Sequence, residues 1–75
     1  MAFLYSTRFT PGEPLRNDDA SCAPGANSIE EYIKLHWPEA TELAPIVVGQ
    51  WPIGPRYFKC RDSWGNDFIR AVWFE

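Results

Sequence analysis

The stretch "YFKCRDSWGNDFIRAVWF" (57–74) constrains the fold more than any other part of the chain. Two runs rich in aromatic and β-branched residues flank a polar, glycine-containing segment, the pattern of a β-hairpin. A type I turn at Ser63-Trp64 followed by Gly65 in the left-handed region closes a three-residue loop with a bulge. That turn predicts a register with Arg61 opposite Asp67 and Cys60 opposite Phe68. Phe58, Cys60, Phe68, Val72 and Phe74 then share one face, with Arg70 as its charged exception. Tyr57, Lys59, Arg61, Asp67, Ile69, Ala71 and Trp73 share the other. An antiparallel sheet with one wet face needs apolar side chains on one side only, and this hairpin carries them on both.

The remaining elements follow from periodicity. In "AFLYSTRFT" (2–10), Phe3, Tyr5, Thr7 and Phe9 alternate with Leu4, Ser6, Arg8 and Thr10, a strand that Pro11-Gly12 stops. Residues 11–27 show no periodicity and read as a long loop. "SIEEYIKLHW" (28–37) opens with the capping-box pair Ser28 and Glu31 and places Ile29, Tyr32, Ile33 and His36 on one helical stripe. Glu30 and Lys34 stand at the spacing of a favourable helical ion pair. Pro38 stops the helix or begins a short second turn in "PEATEL", and "PIVVGQW" (45–51) reads as a strand. The predicted architecture is one α+β domain spanning residues 1–75. Its antiparallel sheet of about four strands (2–10, 45–51, 56–62 and 67–74) carries one α-helix packed on one face. A helix of about ten residues cannot cover both faces of such a sheet, so the second face is expected to be wet or to meet a partner, with a homodimer as one form that partner takes.

A chain of 75 residues sits near the lower limit for folding on one core, so its 16% aromatic content matters: large side chains supply much buried area per residue. No apolar run approaches the ~20 residues of a membrane span, and the N-terminal residues lack a basic leader, so a cytoplasmic protein in a bacterial cell is expected, with no membrane contact. Cys22 and Cys60 form no Cys-x-x-Cys pair and have no histidine at ligand spacing, which argues against zinc. Cys60 reads as a small buried hydrophobe, and a Cys22–Cys60 disulfide is conceivable in an oxidising compartment.

Catalytic chemistry finds little footing. His36 is the single histidine and lies beside Trp37 on the helix, the position of a packing residue. The adjacent carboxylates Asp18-Asp19 and Glu30-Glu31 do not share a face, and no glycine-rich loop leads into a helix start. A non-enzymatic protein without cofactor or metal is expected. Net charge is −3, with four glutamates against Lys34 in residues 28–45, and no basic stripe suited to phosphates appears. Two binding modes fit better. Asp18, Asp19, Glu30, Glu39 and Glu42 can make a negative surface that occupies a basic groove built for nucleic acid, while Tyr57 and Trp73 supply aromatic contact area. The runner-up is a small nucleic-acid-binding or regulatory module that stacks bases on Tyr57, Trp73 and Trp64 beside Lys59 and Arg61.

With its small size, its acidity, the capped helix "SIEEYIKLHW" and the closing hairpin "YFKCRDSWGNDFIRAVWF", the chain resembles the small phage-encoded anti-CRISPR proteins in architecture. The resemblance implies a non-enzymatic inhibitor that binds a CRISPR effector complex, blocks its target-DNA site as a DNA mimic, and often works as a dimer. It covers most of the chain and carries no sequence motif, so it transfers no functional residue.

Overall fold

The computed structural model describes residues 3–15, 21–23, 28–50 and 54–74. Among these residues five strands form one fully antiparallel sheet: β1 (Leu4–Phe9), β2 (Ser21–Ala23), β3 (Thr41–Leu43), β4 (Arg56–Arg61) and β5 (Asp67–Phe74), ordered β2-β1-β5-β4-β3. Helix α1 (Ile29–His36) is the single α-helix among the described residues, so the expected α+β arrangement holds. The hairpin register is the expected one, with Arg61 against Asp67 and Cys60 against Phe68, and Gly65 takes the positive φ of 83° that the turn demands.

Three segments depart from expectation. Residues 45–48 are a 3₁₀ turn rather than a strand, because Pro45 cannot donate to a sheet ladder and Gly49, at φ 78°, ends the turn in the left-handed region. The strand that pairs with β4 is instead Thr41–Leu43, inside the stretch read as a second helical turn. Within the presumed long loop, Ser21–Ala23 pairs with Leu4–Ser6 as an edge strand. Three residues of ladder carry too little periodicity to stand out from a loop, so only the pairing partner reveals them.

Helix α1 begins where the capping signal places it, with the Glu31 backbone N–H donating to Ser28 Oγ at 3.0 Å. Ile29, Tyr32 and Ile33 are buried against Leu4, Phe58, Cys60 and Val72, with Trp37, Ala40 and Phe68 at the margin. His36 is exposed rather than part of the buried stripe; its ring leans on Tyr32 and Trp37. The charged exception on this face, Arg70, lies flat: Nε and Nη2 donate to the buried Ser6 hydroxyl at 3.0 and 2.8 Å, and the guanidinium carbon sits 5.1 Å from the Trp37 ring centre.

The second face is not open. Phe9, Val48, Tyr57 and Ala71 form a second buried cluster, with Leu15, Leu43, Ile69 and Trp73 packed on it. Phe9 and Tyr57 meet at 5.0 Å between ring centres, and the 3₁₀ turn lowers Val48 onto them. The more apolar parity of β1 therefore faces away from the helix. Tyr5 and Trp73 extend this side as a stacked pair 5.8 Å apart.

Strand order also settles the cysteines. Cys22 on β2 and Cys60 on β4 are separated by three strand spacings of ~4.8 Å, on the order of 14 Å, twice the ~7 Å that a disulfide spans. An intramolecular bridge is excluded, and burial pushes the Cys60 thiol up to about 11, which suppresses its thiolate at neutral pH.

If Val48 is the lid of the second cluster, Val48→Ala should remove two buried methyl groups and lower unfolding free energy by about 2 kcal/mol. The equally hydrophobic but exposed neighbour Val47, changed to Ala, should leave it within ~0.5 kcal/mol. Urea denaturation of the two variants checks the pair; equal effects would mean that the turn does not cover the sheet.

Candidate binding surface

The surface is organised by one arginine. Arg56, at the start of β4, donates from Nε and Nη2 to both carboxylate oxygens of Glu42 on β3, at 2.8 and 2.6 Å. Its Nη1 meets Glu30 on α1, and its guanidinium carbon lies 5.4 Å from the Phe58 ring centre. One planar fork thus ties helix, edge strand and central hairpin together, a geometry that lysine could not reproduce. Hydrogen bonding to Arg56 holds the Glu30 and Glu42 carboxyls below the ordinary range, and the same contacts raise Arg56. Glu30 is accordingly used in this tertiary contact instead of the helical pair with Lys34.

Two of the five carboxylates expected to face a partner are therefore internally committed. Glu30 and Glu42 are half neutralised by Arg56, and a lysine in place of Glu42 would set an ammonium against the guanidinium and break the clamp. Glu39 is exposed as expected, and Asp18 and Asp19 lie outside the described residues. The aromatic pair also divides. Tyr57 is 2% exposed under Val48 and Phe9, so it contacts neither a partner protein nor a base. Trp73 is half-buried in its stack with Tyr5. The stacking-module reading loses its central platform with Tyr57. Its cations Lys59 and Arg61 both pair with Asp67, at 3.5 and 3.1 Å, which holds the Asp67 carboxyl low.

Exposed apolar side chains lie elsewhere. Ile46 and Val47, adjacent on the 3₁₀ turn, are 81% and 70% exposed, and Trp64 at the tip of the β4–β5 hairpin is 85% exposed. The turn is held from within by the bonds Val47 N–H to Ala44 O at 3.0 Å and Gln50 N–H to Pro45 O at 2.8 Å, and its buried Val48 anchors it to the sheet. Sequence reading missed Ile46 and Val47 because a strand would have buried one of them. The proline and glycine bracketing the segment were the signal for a turn.

Shallow clefts of about 240 and 320 Å³ flank Glu39, one lined by Thr41, Lys59, Arg61 and Asp67, the other by His36, Trp37, Pro38 and Asp62. Among the described residues no group of three His, Cys, Asp or Glu side chains converges as a metal site. No helix there is long and apolar enough to cross a membrane. No protein-family model matches the chain, and comparison with curated proteins and with solved structures found no significant match.

The Arg56 clamp makes a signed prediction. Because the folded carboxyls of Glu30 and Glu42 sit below their unfolded values, their contribution is complete above the ordinary carboxylate range of about 4.3 and is lost as pH falls through the lower folded values. Arg56→Met keeps the aliphatic stem but removes the fork. It should cost about 1 kcal/mol at neutral pH, discounted for solvent screening, or ~4–8 °C in Tm. It should also flatten the fall of Tm between neutral pH and pH 3. Parallel Tm-versus-pH curves for the two proteins would show that the clamp carries no stability.

Proposed function

We propose that this chain is a non-enzymatic inhibitory binding protein of the anti-CRISPR kind, whose target is a CRISPR effector complex and whose effect is to block target-DNA binding. The observation that supports a protein target is the exposed Ile46-Val47 pair, two adjacent aliphatic side chains displayed on a turn that hydrogen bonds and Val48 hold in place. A fixed apolar protrusion of this kind loses little conformational freedom on binding and gains by leaving water. It offers nothing to a phosphate backbone, in keeping with the net charge of −3. Glu39, with Asp18 and Asp19, supplies the negative charge in this reading. It steers association with a basic groove more than it sets the final affinity. Glu30 and Glu42 serve mainly to hold the scaffold.

Reconstituted effector complexes of the single-nuclease and multi-subunit types, each given labelled target DNA, test the proposal directly. Wild-type protein should prevent DNA binding or cleavage by at least one of them. Ile46→Asp with Val47→Asp should weaken that inhibition tenfold or more, equivalent to about 1.4 kcal/mol, with Tm unchanged. Absence of inhibition across the panel would refute the anti-CRISPR assignment, and inhibition indifferent to the double variant would refute the apolar turn as its contact.

A further inference from the structure

On the helix-side face of the sheet the fold sets two arginines side by side. Arg8 on β1 and Arg70 on β5, remote in sequence, are direct partners across adjacent strands. Opposite positions of an antiparallel pair bring Cβ atoms to about 5 Å, where like charges oppose each other. Of the four described arginines, Arg56 and Arg61 are matched to carboxylates, whereas Arg8 and Arg70 form no ion pair among the described residues. Both are held against aromatic rings instead. The guanidinium carbon of Arg8 lies 4.6 Å from the Phe68 ring centre, and that of Arg70 lies 5.1 Å from the Trp37 ring centre. The two rings meet edge to face at 5.7 Å, and the Trp37 backbone N–H donates to Ile33 O at 2.7 Å, which fixes it at the end of α1. Four side chains thus make one cluster, with Arg70 half-buried in it and Arg8 exposed beside it.

The fold has a use for the shape of these arginines and none for their charge. The buried Ser6 hydroxyl accepts from Arg70 Nε and Nη2, a role that a neutral amide donor would also fill. Arg70 Nη1 and the whole Arg8 fork have no protein acceptor among the described residues. Ring contact offsets only part of the cost of a half-buried, unpaired guanidinium. No carboxylate of a neighbouring element relieves it. Glu30 and Glu31 stand in the first turn of α1 while the cluster sits at its last, and Glu39 and Asp62 share a cleft with Trp37 but pair with neither arginine.

Charge narrows the ligand. With a net charge of −3 the chain repels an extended polyanion or an anionic bilayer, whereas a compact anion meets only the local pair. Guanidinium forks match phosphate oxygens in geometry, and a phosphomonoester concentrates a charge of about −2 in one group, which balances both arginines at once.

We infer that Arg8 and Arg70, backed by Phe68 and Trp37, form a binding site for a small phosphomonoester, whose phosphate accepts from Arg70 Nη1 and from the Arg8 fork. The site lies on the sheet face opposite the Val48 cover that carries Ile46 and Val47, so it is separate from the surface proposed for inhibition.

Amide NMR of the intact protein tests the site, with inorganic phosphate or glycerol 3-phosphate added just above neutral pH at an ionic strength held constant by sodium chloride. Both should give saturable shifts centred on Thr7, Arg8, Ile69 and Arg70. Arg8→Gln, at an exposed position, should weaken binding by about tenfold or more with the fold intact. Arg70→Gln, which keeps a donor for Ser6, should do the same. Lys34→Gln removes an exposed charge from α1 and should leave binding unchanged. Succinate, whose two charges sit on separate carboxylates, should bind more weakly by about tenfold or more. Shifts that do not saturate, that persist in Arg8→Gln, or that Lys34→Gln removes equally would mean general ion screening and overturn the inference. An equal response to succinate would overturn the choice of phosphate, and a response confined to oligo-dT or to phosphatidic acid vesicles would overturn the choice of a small ligand.

Discussion

An eight-residue helix, the single one among the described residues, facing a sheet that is apolar on both sides is the constraint around which this fold is built. Burial on one face alone would leave Phe9, Tyr57, Ala71 and Ile69 in water, and a domain of this size has little surplus to offset that loss. Among the described residues the chain meets the demand without a second helix. It uses irregular backbone instead: Val48 from a 3₁₀ turn and Leu15 from the segment after β1 lie over the second face. The result is a sheet between two thin covers, one regular and one not.

The irregular cover has a consequence for recognition. A 3₁₀ turn has three residues per turn, so it cannot bury several consecutive apolar side chains against one flat surface. When Val48 points inward, Ile46 and Val47 face solvent. The exposed aliphatic pair is thus partly a by-product of how the second core is closed, which couples this exposed apolar surface to the stability of the protein. Trp64 is different in kind, because its loop is satisfied by Asp62 and Gly65 and takes no support from the indole.

Electrostatics here serves architecture first. Arg56 collects Glu30 from the helix and Glu42 from the edge strand, and Asp67 collects Lys59 and Arg61 across the hairpin. Arg70 spends its donors on Ser6 and its planar face on Trp37. An acidic middle region that looks on paper like a field of free carboxylates is, in space, partly neutralised, with Glu30 and Glu42 sharing Arg56 while Glu39 stays exposed. Formal charge along a sequence is therefore a poor guide to the charge a partner meets when the counter-ions are distant in the chain: Glu30 and Arg56 stand 26 residues apart.

Local chemistry by itself determined the hairpin with its register, the cap and extent of α1, the single strand β1 and the α+β class, because each rests on interactions within a few residues: the turn at Gly65, the Ser28 hydroxyl, an alternation of period two. The tertiary structure alone decided the three-residue strands at 21–23 and 41–43, which exist only through their partners, and the role of residues 45–48, where proline and glycine overrode a strand-like run of aliphatics. It also decided which candidate site residues are available. Tyr57 is buried because Val48 and Phe9 close over it, and Glu30 and Glu42 are occupied because a helix and an edge strand converge on Arg56. Burial and charge pairing depend on distances between segments remote in sequence, and those distances do not exist until the sheet has assembled.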